Sequence, residues 1–202
     1  MATTQPAWMV GRCLRIGDND QMLGLLEPQQ HLDLTSYLMH DCEPLPTIAS
    51  FYRRELFQRY GMFDSQLQYA FDYEFVCRLL AGGQSPVQML HLASAQREHN
   101  ESRSATHPVD MGLEYIAAAR RYADQLPLPQ RVKLWRNCDQ RQRIYALAQA
   151  EMQGDQGRGY LWQQLLYRPW WLVNGSLRQM LVRGGRIPTA LDHPEQSLRQ
   201  AA

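Results

Sequence analysis

Between Asp72 and Ala95 the chain changes its hydrophobic period, and that change limits the folds open to it. From Asp72 onward, Phe75, Val76, Leu79 and Leu80 recur on one stripe at helical spacing. Glu74 and Arg78 stand four apart on the polar side, and Gly82-Gly83 supplies a helix stop. The next segment, Pro86 to Ala95 (PVQMLHLASA), is short and largely apolar, so it reads as a strand that delivers Arg97 and His99 at its C-terminal end. A second strand signature lies upstream. Trp8 to Ile16 (WMVGRCLRI) mixes aromatic, β-branched and aliphatic residues and runs into Gly17-Asp18-Asn19-Asp20, with Met22 to Leu26 as the return strand of a hairpin. Strands alternating with a helix predict an α/β or α+β domain.

Around this frame the sequence predicts a short helix near Leu32 to Met39, a loop through Pro44 and Pro46, and a helix from Phe51 to Tyr60 closed by Gly61. Beyond Pro108 the pattern is helical: Val109 to Asp124, Gln130 to about Met152, Tyr160 to Tyr167 and Trp170 to Val182. Pro127 and Pro129, the GDQGRG stretch and Pro169 separate these helices. The expected organisation is a mixed domain over 1–107, a helical extension over 108–187 and a polar tail over 188–202.

Charge and cysteine usage exclude several classes. Twenty-one basic residues against 20 acidic ones give a net charge of +1, so no global field recruits nucleic acid or an anionic membrane and local patches must do any such work; no nucleic-acid motif is present. Lys133 is the single lysine, and the arginines suit bidentate contacts to phosphate or carboxylate. Cys13, Cys42, Cys77 and Cys138 form no CxxC pair, and no secretory signal is visible, which predicts a cytoplasmic protein. The apolar runs fall well short of the roughly 20 residues of a spanning helix.

Four ordered elements carry a family resemblance: Phe51 to Glu55 (FYRRE), Gly61-Met62-Phe63-Asp64, Asp72-Tyr73-Glu74, and Arg97-Glu98-His99 with Ser102 and Ser104. The series resembles the acceptor-side half of a family 2 glycosyltransferase of the GT-A type, over roughly Trp8 to Ser104. The resemblance implies a partial GT-A-like mixed sheet with flanking helices. It also implies transfer of a sugar from a nucleotide sugar to a carbohydrate or lipid-linked acceptor. Asp72 is then the general base that takes the acceptor's proton, at or near the N-cap of its helix. Tyr73, Glu74, Arg97 and His99 are implied substrate contacts, with Arg97 near the diphosphate and His99 a ligand to Mn²⁺ or Mg²⁺. The family pattern has an acid immediately before the base, where this chain has Phe71. From the residues alone, Asp72 can also be read as a helix cap, Gly61 and Asp64 build a tight turn, Arg53, Arg54 and Glu55 form a solvated helix face from which one arginine could touch an acceptor, and Cys77 is a packing thiol.

The same resemblance leaves the nucleotide-binding half without a counterpart. Asp18-Asn19-Asp20 imitates a DXD motif, but 17 residues are too few for the crossovers that should precede one, so the run reads as a hairpin turn. The expectation is a sheet completed by a homodimer or a partner subunit, with a non-catalytic acceptor-binding or interaction module as the alternative function. The C-terminal aromatics, Trp162, Trp170 and Trp171 among arginines, suit either core packing or a peripheral contact with the inner face of a membrane.

Overall fold

The structure, a computed structural model, describes residues 5–39, 45–99, 101–102, 106–153 and 155–173, without the side chains of 150–158, 160 and 173. Two compact units divide it, Met1–Leu134 and Trp135–Ala202. The first unit is mixed α/β around a four-stranded sheet.

Strand β1 (Trp8–Ile16) is the sheet's centre, since every other strand pairs with it, and it buries Trp8 and Val10 on one face and Cys13 on the other. It pairs antiparallel with β2 (Met22–Leu26) and β3 (Ser50–Tyr52), and parallel with β4 (Val87–Arg97). A strand has only two edges. β4 follows one edge from Met9 to Ile16, so β3, beside Trp8 to Val10, and β2, beside Cys13 to Ile16, share the other end to end. The eight residues Met9–Ile16 face the 11 residues of β4, so β4 bulges opposite Val10 to Cys13. Gly11 permits the bulge: a Cβ there would stand 2.4 Å from the Ala93 Cβ and 3.1 Å from the His91 carbonyl oxygen.

The β1–β2 turn is closed by the Gly17 N–H donating to the Gln21 carbonyl at 2.9 Å and the Asp20 N–H donating to the Gly17 carbonyl at 3.1 Å. Asp20 has φ 59°, a left-handed geometry that aspartate tolerates better than most residues. The run Asp18-Asn19-Asp20 is therefore a turn.

The parallel β1/β4 pair requires a crossover, and the chain between them supplies three helices. Helix α1 (Leu34–Met39) begins at Asp33, whose carboxylate accepts the Ser36 N–H at 2.7 Å while the Ser36 hydroxyl accepts the Asp33 N–H at 3.0 Å. Helix α2 (Arg54–Tyr60) ends at Gly61, with φ 85°. Helix α3 (Phe71–Ala81) buries Phe75, Val76, Cys77 and Leu79 completely, each worth about 2 kcal/mol of apolar burial for the three larger side chains. Helix α4 (Pro108–Arg121), with Pro108 in its first turn, packs against α3. Helices α5 (Leu128–Gln153) and α6 (Asp155–Tyr167) and a 3-10 turn (Pro169–Val173) complete the described chain, and the boundary between the units falls within α5.

Three sequence expectations differ from what is found. The helix expected over Phe51 to Tyr60 is a strand and a shorter helix, because Phe51 and Tyr52 pair with Met9 and Trp8 and the Arg53 N–H donates to the Ala7 carbonyl at 2.9 Å. Helix α6 starts at Asp155, inside the GDQGRG stretch expected to interrupt the helices. The helix expected from Trp170 begins as a 3-10 turn, and its remainder and the polar tail lie outside the described residues. Among the described residues no helix is long and apolar enough to cross a membrane.

Candidate functional site

Three backbone N–H groups at the approach to α3 are held by one distant carboxylate. The N-cap of α3, Ala70, offers no side-chain acceptor, so the N–H groups around the helix entrance need a partner from elsewhere. Glu114 of α4 supplies it. Its carboxylate accepts the N–H groups of Gln68 at 3.0 Å, Tyr69 at 2.6 Å and Ala70 at 3.0 Å. Burial works to raise the Glu114 pKa, but these backbone donors outweigh it and hold the carboxyl below its ordinary value. The entrance to α3 is thus fixed by a residue more than 40 positions downstream.

Asp72 is the second residue of α3, two positions past the N-cap Ala70 and so near the cap, as the sequence placed it. It is half-buried. One oxygen, Oδ2, accepts the Thr47 hydroxyl at 2.8 Å and the other, Oδ1, accepts the Tyr73 N–H at 2.8 Å. Thr47 opens a short 3-10 turn, Thr47–Ala49, that leads into β3 and packs on β1 and β4, so the sheet itself sets the position of this donor. A carboxylate has about four lone-pair sites, and among the described residues two of them take no donor.

The two residues that follow Asp72 in the motif do different work. Tyr73 is buried, stacked on Tyr37 at 5.0 Å and edge-on to Tyr115 at 4.8 Å. Glu74, expected on the polar side of the helix, is the one buried acid among the described residues, 4% exposed. Its oxygens are taken by the Arg78 guanidinium and, at 2.6 Å, by the Tyr122 hydroxyl. Arg78 also donates to the carbonyls of Tyr60 at 2.9 Å and Met62 at 2.8 Å, which pins the Gly61 turn. Burial first, and the Glu74 bond second, drive the Tyr122 hydroxyl pKa well up. Cys77 is wholly buried, and that desolvation pushes its thiol far up as well, so this sulfur is inert.

Arg97, the last residue of β4, grips the hairpin turn. Its guanidinium donates to the Gly17 carbonyl at 2.9 Å, the Asp18 carbonyl at 3.3 Å and the Asp20 carboxylate at 2.5 Å. Next to it, Glu98 forms a fork with Arg15, one arm at 2.9 Å, and that hydrogen bonding lowers the Glu98 pKa. His99 is exposed, and its carbonyl accepts the Ser102 N–H at 3.0 Å. Ser104 lies outside the described residues. Among the described residues no hydrogen bond or ion pair joins Asp72 to Arg97 or His99, and no three His, Cys, Asp or Glu side chains converge as a metal site. His99, the residue expected to ligate Mn²⁺ or Mg²⁺, stands exposed just past the end of β4.

The Gly61 turn has the build its residue types suggest. Asp64 accepts the Gln66 N–H at 3.0 Å and the Arg121 guanidinium at 2.7 Å, and the Arg121 bond is the leading reason its carboxyl sits below the ordinary range. Arg53, Arg54 and Glu55 are exposed. Sequence reasoning missed Thr47 and Glu114 as partners of this region. Thr47 carries no local signal beyond a hydroxyl before a strand, and Glu114 acts across a gap no periodicity bridges. Trp171 is fully buried and Trp170 exposed, so the two adjacent indoles have opposite surroundings.

Comparison of the chain with protein-family models, with curated proteins and with solved structures finds no match.

Proposed function

We propose that the chain is the acceptor-side portion of a GT-A-type glycosyltransferase, in which Asp72 acts as general base. The observation that carries the reading is the Asp72 carboxylate: reachable, anchored by Thr47 and its own helix, and with lone pairs to spare. Glu74, two residues away, makes the contrast, since its carboxylate is buried and already engaged. The supporting sequence motifs are the FYRRE segment, the Gly61 turn, the Asp72 helix start and the Arg97 to His99 element.

In the proposed reaction the acceptor hydroxyl oxygen attacks the anomeric carbon of a nucleotide sugar. The new C–O bond forms as the bond to the diphosphate breaks. Asp72 takes the hydroxyl proton and the nucleoside diphosphate leaves with its electron pair. Tyr73, Glu74, Arg78 and Glu114 position the base without touching substrate. Arg97 shapes the hairpin that borders the C-terminal end of β4.

A second reading, a non-catalytic acceptor-binding or interaction module, is favoured by the outer side of β4, where Leu90 is 75% exposed and no described strand pairs. One experiment separates the two. Membranes and polysaccharide from a strain lacking this gene are incubated with radiolabelled nucleotide sugars, after restoring the full chain as wild type or as Asp72→Asn. Loss of a labelled product in the deletion, its recovery with wild type and recovery of less than about one-hundredth with a folded Asp72→Asn support catalysis. Equal recovery with both chains assigns the non-catalytic role, and an unchanged product pattern in the deletion removes the transfer reading.

A further inference from the structure

Over residues 161–167, the part of α6 whose side chains are described, apolar residues lie on both sides of the helix. Leu161 and Leu165 are buried, and the Trp171 ring beyond them is sealed by its indole N–H donating to Asp139 at 2.9 Å and by the Arg168 guanidinium 5.2 Å from its centroid. This inner side closes the core of the second unit. The outer side should then carry charges, as surface helices do. Instead it presents Trp162 (55% exposed), Leu166 (82% exposed) and, just past the helix end, Trp170 (57% exposed). Trp162 and Leu166 are four apart and share a face, and Tyr167 and Leu172 are also exposed beside them. The Trp170 indole is not free to fold inward, because its N–H donates to Asp139 at 3.1 Å.

Charge says what covers this face. Trp135–Ala202 carries nine arginines against five carboxylates, whereas Met1–Leu134 carries 12 basic residues against 15 acidic ones. The near-neutral total conceals an acidic α/β unit and a basic aromatic one. Exposed indoles, a tyrosine and leucines within an arginine-rich unit match the boundary layer of an anionic bilayer. Amphipathic rings settle there among headgroups, and the unit's net positive charge adds attraction to an anionic surface.

We propose that the second unit docks on an anionic lipid surface through Trp162, Leu166 and Trp170, lying in the interface without crossing it. The inference stands on the second unit alone and is independent of whether Asp72 catalyses transfer.

The test is sedimentation of the full chain with sucrose-loaded vesicles, either equimolar phosphatidylcholine and phosphatidylglycerol or phosphatidylcholine alone, with tryptophan emission recorded in parallel. Expected are binding to the anionic vesicles, a blue shift on binding, weakening by added salt, and a loss of roughly tenfold or more in partitioning for Trp162→Ser combined with Leu166→Ser. Both positions are exposed, so the double variant should keep its far-UV spectrum, and Leu90→Ser on β4 serves as a control that should bind like wild type. Failure to sediment with anionic vesicles, or equal binding by the double variant, overturns the proposal. So does a vesicle-free dimer that the double variant abolishes, since a second copy would then be the occupant.

Discussion

Removing the Glu114 carboxylate should loosen α3 at the end that carries Asp72. In Glu114→Ala the N–H groups of Gln68, Tyr69 and Ala70 lose their shared acceptor. A lost helix cap costs about 0.5–2 kcal/mol and a lost bond to a charged group about 1.5–3 kcal/mol. One carboxylate shared by three donors, in a half-buried place open to replacement by water, puts the expected cost at about 2–3 kcal/mol, or roughly 5–10 °C in Tm for a chain of this size. Glu114→Gln keeps one acceptor oxygen and should cost about 1 kcal/mol. The pH dependence has a definite sign. Because the folded-state pKa of Glu114 is lowered, its contribution is complete above the unfolded value, near 4.5, and is lost as pH falls through the folded one. Urea unfolding followed by circular dichroism, at neutral pH and again below about pH 4, measures both effects. A difference between wild type and Glu114→Ala under about 0.5 kcal/mol at neutral pH would refute the capping argument, as would one that fails to shrink on acidification.

Other consequences follow from single contacts. Gly11→Ala should destabilise the β1/β4 pair by about 1–3 kcal/mol, and Ala93→Gly in the same chain should recover most of that loss in a double-mutant cycle, since the clash is between two β-carbons. Trp171→Ala should cost about 3–5 kcal/mol in calorimetry, while Trp162→Ala, on the exposed side of α6, should cost under about 0.5 kcal/mol. Cys77 should resist a thiol reagent in native buffer at mildly alkaline pH and react once urea is added, because burial both shields it and opposes its ionisation. Modification of native Cys77 at the rate of a free thiol would contradict that packing.

The sequence made the strands plain where side-chain alternation and turn chemistry agreed. Trp8–Ile16 and Met22–Leu26 stand where the apolar run, the Gly17 to Asp20 turn and the return run put them. The stripe of Phe75, Val76, Leu79 and Leu80 likewise marked α3, and Gly82-Gly83 its end. Phe51 and Tyr52 were misread because β3 exists only through pairing with a strand 40 residues earlier, a non-local stabilisation that overrides local helical character. Glu74 and Arg78 were legible as an i to i+4 pair, yet only the packing of α4 on that face turns them into a buried one. The carboxylate at the helix start was visible in advance. Its anchor at Thr47 and the cap from Glu114 were not, since both cross long gaps in sequence.

The central claim is that Asp72 removes the acceptor's proton and does nothing essential for folding or binding. The most direct measurement is single-turnover transfer by the full chain as wild type and as Asp72→Asn, using the donor and acceptor that the deletion strain identifies, with acceptor affinity determined separately. The account predicts unchanged acceptor affinity and a transfer rate lower by about 10²–10⁴ for Asp72→Asn. A rate within about threefold of wild type, or a loss that resides wholly in affinity, would contradict it.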